Sequence, residues 1–315
     1  MQAPVDPRGL GPRLEALLVE TPREARLARD PVRFVHRYDV PIDQEVAAIL
    51  SGTLAYGRVA AFGPVLERLF TMADASGGPR AWVDAFEPDD LAPLVYRWNR
   101  GIDWILLLSA LRRLYQRVDS LEALLTAGRP LPEALDDLVG ALRDAVVAEA
   151  PAVGVSAEAF GDLPRGVRMF LPRPADGSAT KRWWMILRWL IRPSTEGIDR
   201  GLWTTRSPSE LVVPLDTHVL RIARYVGLTT RKDGSLRTAL EVTAGLRAID
   251  PDDPVRFDFA LAHLGISGGC KGQPDEVCVD CPLIGVCTVG GPPTVNVNKS
   301  RRAATIRKLR GRARS

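Results

Sequence analysis

The sequence is poor in histidine and lacks long apolar runs. Only three histidines, His36, His218 and His263, are spread over the 315 residues, and their separation argues against a histidine-rich metal site. No apolar run approaches twenty residues, so we expect no membrane-spanning helix. Alternating β-branched runs are short, whereas most apolar patterns have the period of a helix. We therefore predict an all-α protein that does not cross a membrane.

Cysteine is absent from the chain except in one 18-residue stretch near the C-terminus. The spacing there is C-x7-C-x2-C-x5-C, formed by Cys270, Cys278, Cys281 and Cys287. Four thiolates are the usual shell of a [4Fe–4S] cluster and also of a structural zinc ion. Disulfides would suit a secreted chain, but the first residues carry no charged-then-apolar signal segment. We expect a metal centre in a cytoplasmic protein, and the spacing leaves iron–sulfur and Zn²⁺ open.

A second informative string lies about fifty residues before the cysteines and reads Pro-Leu-Asp-Thr-His-Val over residues 214–219. Asp216 precedes an apolar pattern with helical spacing, formed by Val219, Ile222, Ala223 and Val226. Aspartate is a strong N-cap residue, because its carboxylate accepts hydrogen bonds from the first free backbone N–H groups of a helix. Taken alone, the string predicts a capped amphipathic helix that starts after Asp216.

Together, the Asp216 string and the cysteines resemble the helix-hairpin-helix DNA glycosylases, the superfamily of endonuclease III and adenine glycosylase. In that family the aspartate of a V-D-T-H segment is catalytic, and cysteines spaced C-x6-C-x2-C-x5-C hold a [4Fe–4S] cluster, so the first gap is one residue longer here. The chain is most similar to an uncharacterised bacterial branch labelled as a domain of unknown function. The resemblance implies base-excision repair of duplex DNA that contains a lesion or a mismatch.

Residues 176–181 are similar to the hairpin of this family, a Gly-x-Gly-x-Lys turn whose backbone N–H groups approach a DNA phosphate. Gly177 matches the first glycine, and Lys181 matches the lysine that lyase-active members use as a nucleophile. Ala179 stands where the second glycine is expected, so the hairpin is degenerate. A helix N-terminus disfavours the ammonium form of a lysine, which helps a nucleophilic amine.

The helix predicted after Lys181 is apolar around nearly its whole circumference. Its exception is a narrow basic stripe of Lys181, Arg188 and Arg192, which lie within about forty degrees of one another on a helical wheel. Buried cations need partners, so this stripe is expected to face a cleft, an acidic group or phosphates. A structural ion-pair network is the alternative for the two arginines.

Several other residues are candidates for contact with nucleic acid. Residues 43–56 are similar to the first barrel helix of the glycosylases and the loop that inserts a side chain into the duplex. Thr53 is the nearest match to the glutamine that members often carry there, while Tyr56 can stack on a base and Arg58 can reach a phosphate. An ordinary helix corner is the alternative. The expected nucleic-acid contacts are Thr53, Tyr56, Arg58, Gly177, His218 and Lys271.

The resemblance also implies a division of the chain. A helical barrel domain would span residues 42–205. A C-terminal helical domain, which contains the cysteine loop, would span residues 206–290, and the N-terminal segment 1–41 would pack with this C-terminal domain. The last part, 291–315, is a tail with eight cations and no acid, which leaves the rest of this +4 chain at −4. Such a tail is typical of contact with nucleic acid. Its cations are Lys299, Arg301, Arg302, Arg307, Lys308, Arg310, Arg312 and Arg314.

We thus predict an all-α, two-domain helix-hairpin-helix glycosylase architecture with a C-terminal iron–sulfur loop, acting as a monomer. Lys181 and Asp216 would lie on opposite walls of the cleft between the domains, and the target nucleotide would be flipped out of the duplex to reach them. The sequence leaves open which base is removed and whether the enzyme also has abasic-site lyase activity. The alternatives are a non-catalytic nucleic-acid-binding protein with a glycosylase-like fold and a zinc-stabilised helical adaptor.

Overall fold

The computed structural model of the chain describes residues 7–19, 27, 30–193, 197–266 and 270–289. The predicted all-α class is confirmed, since the structure is 61% helix and 2% strand. Within the described residues, no helix combines the length and the apolarity that a membrane span requires. The basic tail and the side chain of His263 lie outside the described part of the chain.

Helices follow one another along the chain with a single small hairpin among them. The α-helices are α1 (Pro7–Val19), α2 (Pro41–Leu54), α3 (Val59–Ala75), α4 (Pro79–Ala85), α5 (Pro88–Leu91), α6 (Gly101–Tyr115), α7 (Leu131–Glu149), α8 (Arg165–Phe170), α9 (Lys181–Ile191), α10 (Thr217–Tyr225), α11 (Leu236–Arg247) and α12 (Asp258–Ile266). The strands β1 (Val95–Tyr96) and β2 (Asn99–Arg100) pair in antiparallel fashion. Short 3₁₀ turns connect them, among them Pro31–Arg37 and Glu276–Asp280.

Helices α2 and α9 pack against each other in the interior of the molecule. Both helices are buried along most of their length, and the indole rings of Trp183, Trp184 and Trp189 are fully enclosed. Gly52 of α2 lies against Ile186 of α9 so closely that a Cβ atom at position 52 would overlap its side chain. The approach of the two helices therefore depends on a residue without a side chain at position 52.

One continuous hydrophobic cluster includes buried side chains from Leu10 to Leu283. Helix α1 joins it from the N-terminal side, where Arg13 donates to the carbonyl of Pro282 at 2.9 Å. The 3₁₀ turn Pro31–Arg37 packs instead on α2. Residues of the predicted segment 1–41 thus contact both the C-terminal part of the chain and the helix that opens the predicted barrel.

Glu45 ties several elements together from the middle of α2. Its carboxylate is 3% exposed and accepts four hydrogen bonds without a cation as partner in the described structure. The donors come from the end of α6, the turn that follows it and the segment before α10: Tyr115 Oη, Ser120 Oγ, Leu121 N and Trp203 Nε1. A carboxylate with this many donors is well solvated by the protein itself.

Replacement of this carboxylate should be costly for stability. Glu45→Ala leaves four donors without an acceptor, three of them buried, and we expect the free energy of unfolding to fall by about 3 kcal/mol in urea denaturation. Glu67→Ala is the matched control, because Glu67 pairs with arginines on the surface and should contribute less than about 1 kcal/mol. Equal losses from both substitutions would contradict the structural role of Glu45.

Candidate active site

A cleft of about 410 Å³ lies where α2 ends and where α9 and α10 begin. Three stretches of sequence supply its walls, and each is the end or the start of a helix. The end of α2 supplies Ala55, Tyr56 and Gly57, the hairpin and α9 supply Pro172, Ser178, Thr180, Lys181 and Arg182, and α10 supplies Asp216, Thr217 and His218. The cleft therefore collects residues that are far apart in sequence.

Lys181 and Asp216, the two predicted catalytic residues, meet in this cleft. The Lys181 Nζ atom is 3.4 Å from Asp216 Oδ2, and both side chains are partly accessible. Asp216 Oδ1 accepts from the backbone N–H groups of His218 and Val219, each at 2.8 Å, so the predicted N-cap is also confirmed. One carboxylate thus caps α10 with one oxygen and holds the lysine with the other.

His218 lines the same cleft and is held from behind. Its Nδ1 atom is 2.9 Å from the carbonyl oxygen of Gly265 in α12, which can only accept, so Nδ1 carries the proton. Gly177 has a left-handed backbone conformation, with φ at 74°, and its carbonyl accepts from Leu236 N. The degenerate hairpin is therefore braced by the start of α11 rather than free on the surface.

The structure corrects the prediction that Thr53 contacts DNA. Thr53 is 0% exposed within α2, and its hydroxyl donates to the carbonyl of Ile49 at 2.7 Å, so it has no path to a ligand. Tyr56, by contrast, lines the cleft, and Arg58 is exposed at the start of α3. Of the loop residues considered from sequence, Tyr56 and Arg58 remain accessible.

Lys271 belongs to the cysteine loop and is 71% exposed, with its Nζ atom 3.9 Å from Asp275 Oδ2. The same loop carries Asp275, Glu276 and Asp280, so its acids outnumber its lysine. An acidic surface repels a phosphate backbone. Lys271 is thus accessible to DNA but stands in an unfavourable electrostatic setting.

The four cysteines line one cavity, together with apolar side chains of α10 and α12 such as Ile222 and Leu264. None of them forms a disulfide. Burial raises the pKa of the Cys281 thiol, and the neighbouring cysteines add to the effect. Four thiols around one cavity are a chemically suitable donor set for a cluster. Among the described residues, however, no three metal-binding side chains surround a common metal position, so the cofactor stays a prediction.

Residues 30–267 match the model of a family described as a protein of unknown function, DUF2400. The match covers 238 of the 315 residues. The chain belongs to the DUF2400 family. Comparisons with curated proteins and with solved structures give no significant match. The span that matches DUF2400 includes the whole cleft with Lys181 and Asp216, and it ends before Cys270.

The two arginines of the α9 stripe are buried within this DUF2400 region and have acidic partners. Arg188 pairs with Asp258 at 2.7 Å and with Asp199 at 3.3 Å, and Arg192 pairs with Asp199 at 2.9 Å and with Asp253 at 2.7 Å. Burial raises the pKa of Asp258 to about 6, although Arg188 opposes the shift. The three cations of the predicted stripe therefore have different surroundings. Lys181 faces the cleft, whereas both arginines take part in a structural ion-pair network.

Sequence reasoning missed an accessible aromatic side chain beside the cleft. Trp98 lies at the tip of the β1–β2 hairpin and is 51% exposed, with the guanidinium of Arg165 3.9 Å from its ring centroid. Arg97, in the same turn, has a φ of 51° and places its guanidinium against the Tyr56 ring. The aromatic and basic letters of Tyr-Arg-Trp-Asn-Arg over residues 96–100 were the available signal. Around the hairpin, the DUF2400 region offers both stacking and positive charge.

Proposed function

We propose that this DUF2400 protein is a DNA glycosylase of base-excision repair with abasic-site lyase activity. It would act as a monomer with the two-domain helix-hairpin-helix architecture, in which α2 to α9 form the barrel side of the cleft and α10 to α12 the other. The observation that carries the proposal is the Lys181–Asp216 pair at 3.4 Å in an accessible cleft. A neighbouring amine and carboxylate can cleave an N-glycosidic bond, the amine as nucleophile and the carboxylate by stabilising the positive charge on the sugar.

The chemistry begins with loss of a proton from Lys181 to solvent, which leaves a neutral amine beside the Asp216 carboxylate. The lone pair of this amine attacks C1′ of the flipped nucleotide, and the base departs with the electron pair of the broken glycosidic bond and takes a proton from solvent. Asp216, which remains a carboxylate, stabilises the positive charge that develops on the sugar. The attacking nitrogen then loses a proton to solvent, O4′ leaves C1′ with the electron pair of the ring bond and takes a proton, and the nitrogen lone pair completes the C1′=N bond of a Schiff base. The Schiff base permits β-elimination at the abasic site.

The surface around the cleft supports a nucleic acid as substrate. Trp98 offers an aromatic face for stacking, which is the common way for proteins to hold unpaired bases. The β1–β2 hairpin and the neighbouring segments also carry exposed arginines, which can contact phosphates. These are Arg58, Arg97, Arg100, Arg165 and Arg168.

Cys270, Cys278, Cys281 and Cys287 would hold the [4Fe–4S] cluster. When bound, the cluster would supply a rigid cross-link for this loop. Arg221 of α10 already donates to the carbonyls of Cys270 and Gly265, at 2.8 Å and 3.0 Å, so the loop is fastened to the helix that Asp216 caps.

A non-catalytic nucleic-acid-binding protein is the second candidate. Two observations favour it: Ala179 replaces the second glycine of the hairpin, and Thr53 is buried where glycosylases present an inserted side chain. A zinc-stabilised adaptor would be favoured by one zinc ion per chain at the cysteines. Release of a base from lesion-containing duplexes would distinguish the glycosylase from the non-catalytic binding protein and from the adaptor.

Asp216→Asn should slow base release by about a hundredfold or more, because the amide keeps the shape of the side chain but not its charge. Asparagine is an equally good N-cap, so the melting temperature should change little. Single-turnover release from a panel of lesion duplexes measures the first effect, and thermal denaturation measures the second.

Asp162→Asn is the matched control for this experiment. Asp162 also accepts from two backbone N–H groups, of Glu158 and Ala159, but it does not line the cleft. Its substitution should leave the rate unchanged. An Asp216→Asn protein that releases base as fast as the wild type would rule out the proposed role of this carboxylate.

A further inference from the structure

Arg182 is a cation in the wall of the cleft that has no acidic partner among the described residues. Its guanidinium donates to the backbone carbonyls of Thr53 and Met169. Burial lowers its pKa to about 10, so the side chain remains charged at neutral pH. In this it differs from Lys181, Arg188 and Arg192, each of which pairs with an aspartate.

Arg182 has hydrogen-bonding capacity to spare. A guanidinium has five N–H donors, and two backbone carbonyls accept from this one, which leaves three donors without an acceptor in the described structure. The side chain is half-buried and lines the cleft, so its remaining donors are open to a ligand that supplies acceptors. Since Arg182 lines the cleft, the ligand would be whatever the cleft binds.

The one acid in the lining of the cleft is not free to pair with Arg182. Both oxygens of Asp216 already have partners, two backbone N–H groups and Lys181. His218, whose Nδ1 faces the carbonyl of Gly265, presents Nε2 as an acceptor elsewhere in the lining. The part of a ligand that faces Arg182 should therefore present an acceptor.

Tyr56 gives the same wall a flat and rigid surface. Its hydroxyl donates to Asn99 Oδ1, and its ring packs against Tyr96 with centroids 5.0 Å apart. Burial raises the pKa of Tyr56, so this donor is retained at neutral pH. The Arg182 guanidinium is 5.4 Å from the centre of the ring. A planar ligand in the cleft thus meets an aromatic surface and a cationic donor side by side.

We propose that Arg182 and Tyr56 form the base-recognition wall of the cleft and that they select an extruded base with a carbonyl oxygen facing Arg182. The inference rests on the proposed glycosylase function and narrows its substrate class. Guanine-type and hypoxanthine-type bases, thymine and uracil present such an oxygen, whereas adenine and cytosine present an exocyclic amine at the corresponding edge. An amine facing Arg182 offers no acceptor to its free donors, which disfavours adenine.

Hypoxanthine and adenine provide the sharpest comparison, because they differ at C6 by a carbonyl in place of an amine and have nearly the same size. Each is placed at the same position, opposite the same base, in otherwise identical duplexes. Binding is measured with the Asp216→Asn protein, so that release of the base does not interfere. We expect the hypoxanthine duplex to bind about tenfold more tightly, as one charge-assisted hydrogen bond would provide.

Arg182→Met keeps much of the length of the side chain and removes its donors, so it should abolish the preference. Arg182→Lys keeps a cation with fewer donors and should retain part of the preference for hypoxanthine. This variant provides the test if Arg182→Met folds poorly. Equal or tighter binding of the adenine duplex by the Asp216→Asn protein would overturn the inference.

Failure of this inference is distinguishable from failure of the proposed function. Release of adenine by the wild-type protein would refute the preference for a carbonyl oxygen, but it would still support the proposed glycosylase function. A hypoxanthine preference in binding, with no release of any base by the wild-type protein, would support the recognition wall and refute the glycosylase.

Discussion

Lys181→Gln is expected to abolish the covalent adduct that borohydride traps between the protein and abasic-site DNA. An amide side chain cannot form the Schiff base that borohydride reduces, whereas the Lys181 amine is held in the cleft 3.4 Å from a proton acceptor. No other lysine precedes Lys232 in the chain, so no neighbouring amine of the barrel side can replace it. The measurement is the fraction of labelled DNA that migrates with the protein after denaturation.

Two comparisons make the result specific. Lys232→Gln removes an exposed lysine that does not line the cleft, and it should trap as the wild type does. DNA binding by Lys181→Gln should be largely retained, since one charge among several phosphate contacts is a small part of the affinity. Persistent trapping by Lys181→Gln would show that another amine is the nucleophile. Base release without trapping by the wild type would indicate a glycosylase that uses Asp216 and water.

Cys281→Ser should remove the metal centre and most of the stability of the C-terminal part. If the loop holds [4Fe–4S], anaerobically purified wild-type protein is brown and contains about four irons per chain, and the variant is colourless. Ile222 of α10 and Leu264 of α12 face the same cavity, so its collapse would expose apolar surface and reduce solubility. Iron and zinc analysis, absorption spectra and thermal denaturation measure these effects.

Val279→Ser is the control in the same loop, because Val279 is exposed and does not line the cysteine cavity. It should keep the colour, the iron and the melting temperature. Colourless wild-type protein with one zinc ion per chain would contradict the iron–sulfur assignment and favour the adaptor. In that case the Lys181 experiment still tests the chemistry of the cleft independently.

The parts of the site that could be predicted from sequence are those set by local rules. Asp216 is followed by an apolar pattern of helical period, so both the N-cap and α10 could be inferred. Apolar residues around nearly the whole circumference of α9 likewise indicated a buried helix. That Lys181 and Asp216 lie on facing walls was implied by the resemblance alone. The distance between them depends on how α9 and α10 pack, and residue spacing does not contain this information.

The errors arose where long-range packing decides the outcome. Thr53 was matched to an inserted loop residue, but α2 continues to Leu54, and this helical turn directs Thr53 into the core. Arg188 pairs with Asp199 and Asp258, which lie 11 and 70 residues further along the chain. Trp98 lies between strands of two residues each, which are too short to produce an alternating pattern.

The close contact of Gly52 with Ile186 makes the position of the Lys181 amine sensitive to a residue outside the cleft. A Cβ atom at position 52 would overlap the Ile186 side chain, so α9, which begins with Lys181, would have to shift or repack to accommodate it. Gly52 does not line the cleft. A substitution there is therefore expected to act at a distance, by displacing the amine from Asp216 without touching a ligand.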